Sequence, residues 1–437
     1  MNSSFEIVGA PQSVAHAHEH RSLWPLRIAT LLLVLGTARY VTRDDFHEDE
    51  SIVQPIIEIT SVLLGACVAL ACVIRYRVKV AFRPPYLLLL TVLTLAVVFS
   101  IRSWNPLLSF ARGGLLILIS LSAGVLLQTY GLRPLLRQLL NAYIALIVFG
   151  ALMSFIFPEE FPLMVVDSGE EAVRARLHLF KIHPIALADD FALCLITSVM
   201  LSGRWVRVCR FVLLACLLLT VGRASIILGL PIYVAAEVVS RRDLSAAVRR
   251  LGLMAVVSVG IVLAVVSGSI LISGLLGPSE VASAIGRIVD ATRDNQTLSG
   301  RTTLWTTLVG DLSLENFLGY GVSGARYYLK TLTPSLRHSH NSALETIYMS
   351  GYPGLGIALA AVAAALAACL RQWRSLSARV LTVACLYVLA AGMMNPSWYD
   401  TGSLMALSIL CSYSWTGAVR PSLLSPVLCR SSHAAAG

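Results

Sequence analysis

The chain has 437 residues, of which 57% are hydrophobic and only 13% charged, with a formal net charge of +10 and a mean hydropathy of +0.76. Soluble domains carry about twice that charged fraction, so the composition excludes a soluble enzyme and specifies a polytopic membrane protein. The basic excess is spread over short, separate segments without interleaved aromatics, which excludes a nucleic-acid partner.

Residues 1–22 are polar, and the apolar run after them lacks a small-residue cleavage site, so that run is expected to stay as an anchor. His16, His18 and His20 in this tail are read as solvated rather than metal-binding. Runs long enough to cross about 30 Å of hydrocarbon then recur along the chain. They fall at 24–40, 52–74, 86–101, 106–129, 136–157, 184–201, 207–222, 224–240, 251–276, 353–370, 380–395 and 403–418. The runs meeting at Gly222 and Arg223 read as two spans or as one long broken helix. The fold expected is all-α with about twelve transmembrane helices.

Lys and Arg accumulate on the cytoplasmic side of such proteins. Alternate connections carry Arg75, Arg77, Lys79 and Arg83, then Arg133 and Arg137, then Arg204, Arg207 and Arg210, then Arg241, Arg242, Arg249 and Arg250, then Arg371, Arg374 and Arg379. The connections between them hold most of the acids, including Asp44, Asp45 and Glu48 in the first and Glu159, Glu160 and Asp167 in the third. Both termini are therefore expected inside and the long connections 158–183 and 277–340 outside. The division that results is a cytoplasmic tail 1–22, a membrane domain 23–276 with nine spans, and a large outer loop 277–340 with short helices. A re-entry helix with three further spans over 341–418 and a tail 419–437 complete it. Of nine cysteines, all but Cys429 fall inside predicted spans without a CxxC pair, so neither a disulfide framework nor a zinc site is expected.

An ionised side chain within a span is costly, and such residues are candidates for function. Arg112 interrupts an apolar helix, Arg223 stands between two apolar runs, Arg176 precedes the sixth span and Arg301 lies in the large loop. For Arg223 the alternative is a residue snorkelling at a helix end. Ser299 to Leu312 reads as an amphipathic helix with Arg301 and Trp305 one turn apart on one face. The string Gly319-Tyr320-Gly321-Val322-Ser323-Gly324 is a literal GxGxxG, but it lacks the βαβ setting of a dinucleotide site. Gly319 and Gly321 are read instead as a tight turn that lets backbone approach other groups closely. His338-Ser339-His340-Asn341 follows where the loop re-enters the membrane. Two histidines at this spacing chelate zinc poorly, whereas Asn341 is suited to cap the next helix, with a break at Gly351, Pro353 and Gly354.

These segments resemble the superfamily of O-antigen ligases and polymerases. His338-Ser339-His340-Asn341-Ser342-Ala343-Leu344 with Gly351-Tyr352-Pro353-Gly354-Leu355 is similar to its HSHNxxL and GxxGL pattern. Ser299-Gly300-Arg301 with Trp305 and Gly319-Tyr320-Gly321 is similar to SGRxxxW and GxG, and Gly222-Arg223-Ala224-Ser225 to its SRxx element. Arg176 to Ile185 is similar to RxxGxxxHPN, with Arg176 and His183 in place, but His178 replaces the glycine and Ile185 the asparagine.

The resemblance implies the GT-C membrane architecture and transfer of undecaprenyl-diphosphate-linked glycan at the periplasmic face of the bacterial inner membrane. The donor is already activated, so no cofactor and no metal are expected. Diphosphate as leaving group calls for arginines, which stay charged and bind phosphate oxygens in pairs, and Arg301, Arg223, Arg112 and Arg176 are the candidates. The attacking sugar hydroxyl calls for a base, for which His340 is the candidate and His338 its neighbour or substitute. Trp305, Asn341, Gly319, Gly321 and His183 are expected to support them.

The expected activity is polymerisation of O-antigen or exopolysaccharide repeats, with transfer to lipid A core, or less readily to protein, as the alternative. The absence of a soluble domain after the last predicted span disfavours a protein acceptor. A flippase and a chain-length regulator are the accessory partners expected, along with the bilayer itself. Outside this class, a secondary transporter also has about twelve spans, but it calls for related halves and a site at the bilayer midplane. No internal repeat relates the halves of this chain.

Overall fold

The computed structural model describes residues 21–37, 53–157, 164–169, 172–177, 184–220, 223–240, 301–312, 317–332, 339–394, 397–399 and 401–413. The expected span 251–276 and the first part of the large loop lie outside the described residues, as do His338 and His183. What is described is helical apart from one two-stranded hairpin.

In chain order the helices are α1 (Trp24–Thr37), α2 (Val53–Tyr76), α3 (Pro84–Val98), α4 (Pro106–Tyr130) and α5 (Leu132–Ile156). The hairpin β1 (Met164–Gly169) and β2 (Ala172–Leu177) follows, then α6 (Pro184–Ser198), α7 (Arg204–Leu219) and α8 (Arg223–Ser240). The remaining helices are α9 (Arg301–Asp311), α10 (Val322–Leu332), α11 (Ser342–Arg371), α12 (Leu376–Met394) and α13 (Thr401–Tyr413). Among the described residues, six segments are long and apolar enough to cross a membrane, namely Ile59–Tyr76, Pro84–Arg102, Pro106–Tyr130, Leu132–Ile156, Ser342–Arg371 and Leu376–Met394. The protein is a multi-pass membrane protein.

Local chemistry sets several boundaries. Pro84 and Pro85 open α3, where a missing N–H costs nothing, and the helix tightens at its far end into a 3-10 turn, Phe99–Arg102. The expected span 86–101 is this helix and turn. Asn105 caps α4 by accepting from the Leu108 N–H, Pro106 follows it, and Gly131 at φ +81° stops the helix so that α5 starts at once. Where one long broken helix was the alternative near residue 222, α7 ends at Leu219 and α8 begins at Arg223. The acidic connection after α5, where the sequence predicts a loop, holds a hairpin. Its strands pair Met164 with Leu177 through Gly169 with Ala172.

The helices pack as a bundle in which α1 lies on α2 and α5, α3 on α11, α4 on α2 and α13, and α8 against α6 and α12. Lipid gives no hydrophobic drive for such contacts, so close approach and interhelical hydrogen bonds hold them. Gly113 lets α4 approach α3 until an added Cβ would stand 2.5 Å from Val97. The Tyr86 hydroxyl donates to the Ser120 carbonyl at 2.7 Å, and the Ser120 hydroxyl pairs with that of Ser408 at 2.8 Å. The eight described cysteines are free thiols, most of them buried.

Candidate active site

One end of the bundle gathers the turn Phe99–Arg102, the Gly319-Tyr320-Gly321 segment, α9, and Ser339-His340-Asn341 at the start of α11. Asn341 caps α11: its side-chain oxygen accepts from the N–H groups of Ala343 at 2.9 Å and Leu344 at 3.2 Å, and its amide donates to the Met393 carbonyl. Ser339 is fully buried, and both its N–H and its hydroxyl reach the Glu345 carboxylate, at 3.2 and 2.8 Å. The residue between these two anchored neighbours is His340. It is half-buried and stands in the left-handed region at φ +50°. A non-glycine residue holds that conformation only where its surroundings impose it, and such residues concentrate at functional sites.

The indole N–H of Trp305, on α9, donates to the Ser339 carbonyl at 3.0 Å. Two segments that lie apart in sequence are thereby joined. Arg301 is the first residue of the helix that makes this contact, four positions ahead of Trp305.

The Gly319-Tyr320-Gly321 segment is explained by the break in α11. Gly351 leaves the helix at φ +72°, and Pro353 has no N–H, so the carbonyls of Tyr348 and Met349 lose their usual donors four residues on. The N–H groups of Tyr320 and Gly321 take their place, at 2.7 and 3.0 Å. Side chains would prevent this. A Cβ on residue 319 would lie 2.3 Å from the Met349 carbonyl carbon, and one on Gly321, at φ +77°, would lie 2.5 Å from the Ser100 Cα.

The same segment is tied to α4. Arg112 donates to the Ser323 hydroxyl at 3.1 Å, the Ser323 N–H donates to the Ser109 hydroxyl at 3.1 Å, and Ser109 pairs with Ser100 at 2.7 Å. Arg112 therefore belongs to the end of the bundle that holds His340. Arg102 lies over the Tyr320 ring at 5.0 Å, and Tyr328 stacks on that ring at 4.3 Å. These contacts fasten the loop. Asp311 accepts from the hydroxyls of Tyr328 and Tyr348, joining α9, α10 and α11. Burial, with the hydrogen bond to Asp311, pushes the Tyr328 phenol up, so it stays a donor at physiological pH.

The other candidates are placed in part. Arg223 opens α8, and Arg176 lies on β2 opposite Val165. Sequence reasoning missed Ser323 and Ser109 as partners of Arg112, and Asp311 with its two tyrosines. Their signals are single polar residues in unrelated segments. Glu345, one turn beyond the cap, did carry a local signal. Among the described residues, no group of three or more His, Cys, Asp or Glu is placed to hold a metal ion.

Comparison with known proteins gives one family match. No curated protein matches the chain at a significant level. Residues 208–359 match the family model Wzy_C, described as O-Antigen ligase. The matched segment runs from α7 through Arg223, Arg301, Trp305 and the glycine turn to the break in α11. The chain thus carries an O-antigen ligase domain, which places it in the O-antigen ligase and polymerase superfamily.

Proposed function

We propose that this protein transfers glycan from undecaprenyl diphosphate to a second sugar at the periplasmic face of the bacterial inner membrane, polymerising O-antigen or exopolysaccharide repeats. The observation that carries the reading is the placement of His340: a half-buried imidazole in left-handed backbone, between two anchored residues and beside the helix that Arg301 opens. A general base needs a fixed direction and a route to substrate, and this setting supplies the first through Ser339 and Asn341.

In this reading His340 removes the proton from the attacking sugar hydroxyl, with His338 beside it. Arg301, Arg223, Arg112 and Arg176 bind the diphosphate leaving group and stabilise its growing charge in place of a divalent cation, each worth a few kcal/mol. Displacement in one step inverts the anomeric centre. Trp305, Asn341, Gly319 and Gly321 keep the base and the loop in place. The wider frame is a GT-C architecture of about twelve spans, with both termini cytoplasmic and the His340 end outward. A flippase supplies the donor and a chain-length regulator limits the product.

A second reading, favoured by the description of the matched family, is a ligase that moves finished glycan onto lipid A core. Mass analysis of lipid-linked and surface glycans in a deletion strain separates the two. Single capped repeats mark a lost polymerase, and full-length chains stranded on the carrier mark a lost ligase. Complementation with His340→Ala is expected to leave either defect unrepaired although the protein accumulates normally, a loss of about 100-fold or more. Near-normal transfer by that variant would remove His340 as the base.

A further inference from the structure

Two carboxylates stand side by side inside the bundle, and the chemistry above uses neither. Asp190 is buried and accepts from the Tyr143 hydroxyl at 2.9 Å beside a small, mostly apolar cavity of about 40 Å³. Asp189 is fully buried and makes different contacts. Its Oδ1 accepts from the Ser225 hydroxyl at 2.6 Å and from the Tyr387 hydroxyl at 2.7 Å. One carboxylate oxygen thereby ties α6 to both α8 and α12. Burying that group is costly unless it is hydrogen-bonded, and the bonds it makes define where the first turn of α8 sits.

Two further features act on this end of α8. Helix α8 has no acidic residue of its own at its start, and Asp189 supplies from a neighbouring helix the acceptor for Ser225 in its first turn. Gly229, one turn beyond Ser225, lets α8 close on α6 until an added Cβ would stand 2.9 Å from the Ala192 Cβ and 3.5 Å from the Tyr387 ring. Rotation and approach of α8 are both set at this point. The residue whose placement depends on them is Arg223, two positions before Ser225.

We propose that Asp189, through Ser225 and Tyr387, is a positioning residue for Arg223, fixing the first turn of α8 so that residue 223 meets the lipid diphosphate. The inference rests on the proposed role of Arg223 and adds to it the group that orients the helix.

The test measures binding of a short-chain polyprenyl diphosphate to purified full-length protein, together with its thermal midpoint. Asp189→Asn keeps the shape but removes the charge, and Ser225→Ala removes one hydrogen bond. Each is expected to weaken binding about 10-fold with little change in thermal midpoint, the size of one charge-assisted hydrogen bond. Arg223→Lys is expected to weaken binding similarly. Asp189→Asn added to Arg223→Lys should then cost less than about two-fold more, because both changes act through one group. Asp190→Asn, also buried but tied to Tyr143, serves as the control and should leave affinity within about two-fold.

Normal binding by Asp189→Asn and Ser225→Ala, or fully additive losses with Arg223→Lys, overturns the positioning role while leaving Arg223 in place. A lowered thermal midpoint with unchanged affinity makes Asp189 a structural residue only, and also overturns it. If Arg223→Ala binds the diphosphate normally, the role of Arg223 falls and the positioning proposal falls with it. Should Asp189→Asn not accumulate, Ser225→Ala carries the same expectation by itself.

Discussion

The two parts of α11 live in different surroundings although they form one continuous run. Before Gly351, Ser342 and every residue from Leu344 to Ser350 is buried, and the polar groups are bonded within the protein. Thr346, for example, pairs with the Tyr399 hydroxyl at 2.7 Å, and Glu345 holds Ser339. After Gly351 burial narrows to a stripe of mostly small residues, Gly354, Ala358, Ala361, Val362, Ala365, Ala368 and Cys369, while Leu359 and Leu370 are exposed. The second part has the pattern of a membrane-spanning helix packed on one side. The first is a plug, fixed all round, that carries the candidate base at its tip. A site that must hold one imidazole in a strained conformation needs the plug, and anchoring it in a bilayer needs the helix.

If that contrast is sound, the same kind of change has opposite outcomes on the two sides of the break. Gly351→Ala should have the largest effect. Its Cβ would lie 2.1 Å from the Phe317 carbonyl oxygen at a residue with φ +72°. Left-handed strain and the clash together cost about 3 kcal/mol or more. We expect a much lower thermal midpoint and loss of glycan transfer, and a variant as stable as the parent would abolish the distinction. Asn341→Ala should cost about 1–2 kcal/mol, since two N–H groups at the start of the plug lose their acceptor. Asn341→Asp keeps that acceptor and should lose less, which thermal unfolding of the two variants compares directly. Gly356→Ala lies beyond the break, and an added Cβ there meets nothing within 4 Å. Its stability should stay level or rise by up to about 1 kcal/mol, with transfer unchanged. A clear loss of transfer would show that the spanning part is as constrained as the plug.

Much of this arrangement is legible before folding because it is local. Asn341 as cap and the break at Gly351 and Pro353 each depend on a few neighbouring residues and their backbone preferences. The hairpin Met164–Leu177 was not read. Its strands are short and lie in an acidic stretch whose composition resembles a loop, and pairing rather than propensity makes them strands. Helix α10 was missed for a related reason. It begins inside a glycine-rich string, where turn chemistry masks the helical pattern that follows. For the site, residue types and motifs nominate the histidine, the arginines and Trp305 as candidates, whereas the bond from Trp305 to Ser339 and that from Arg112 to Ser323 link positions 34 and 211 residues apart.

The sequence by itself determined that this chain is a helical membrane protein, where several of its helices begin and break, and which superfamily its motifs resemble. Hydrophobic length and backbone preference act within one helix or turn, so they can be read along the chain. Tertiary structure alone decided that the glycine turn caps the carbonyls of Tyr348 and Met349, that α9 braces the histidine loop, and that Asp189 grips the start of α8. Each of those depends on groups that meet only once the helices pack, where a buried hydrogen bond must find its partner from another segment.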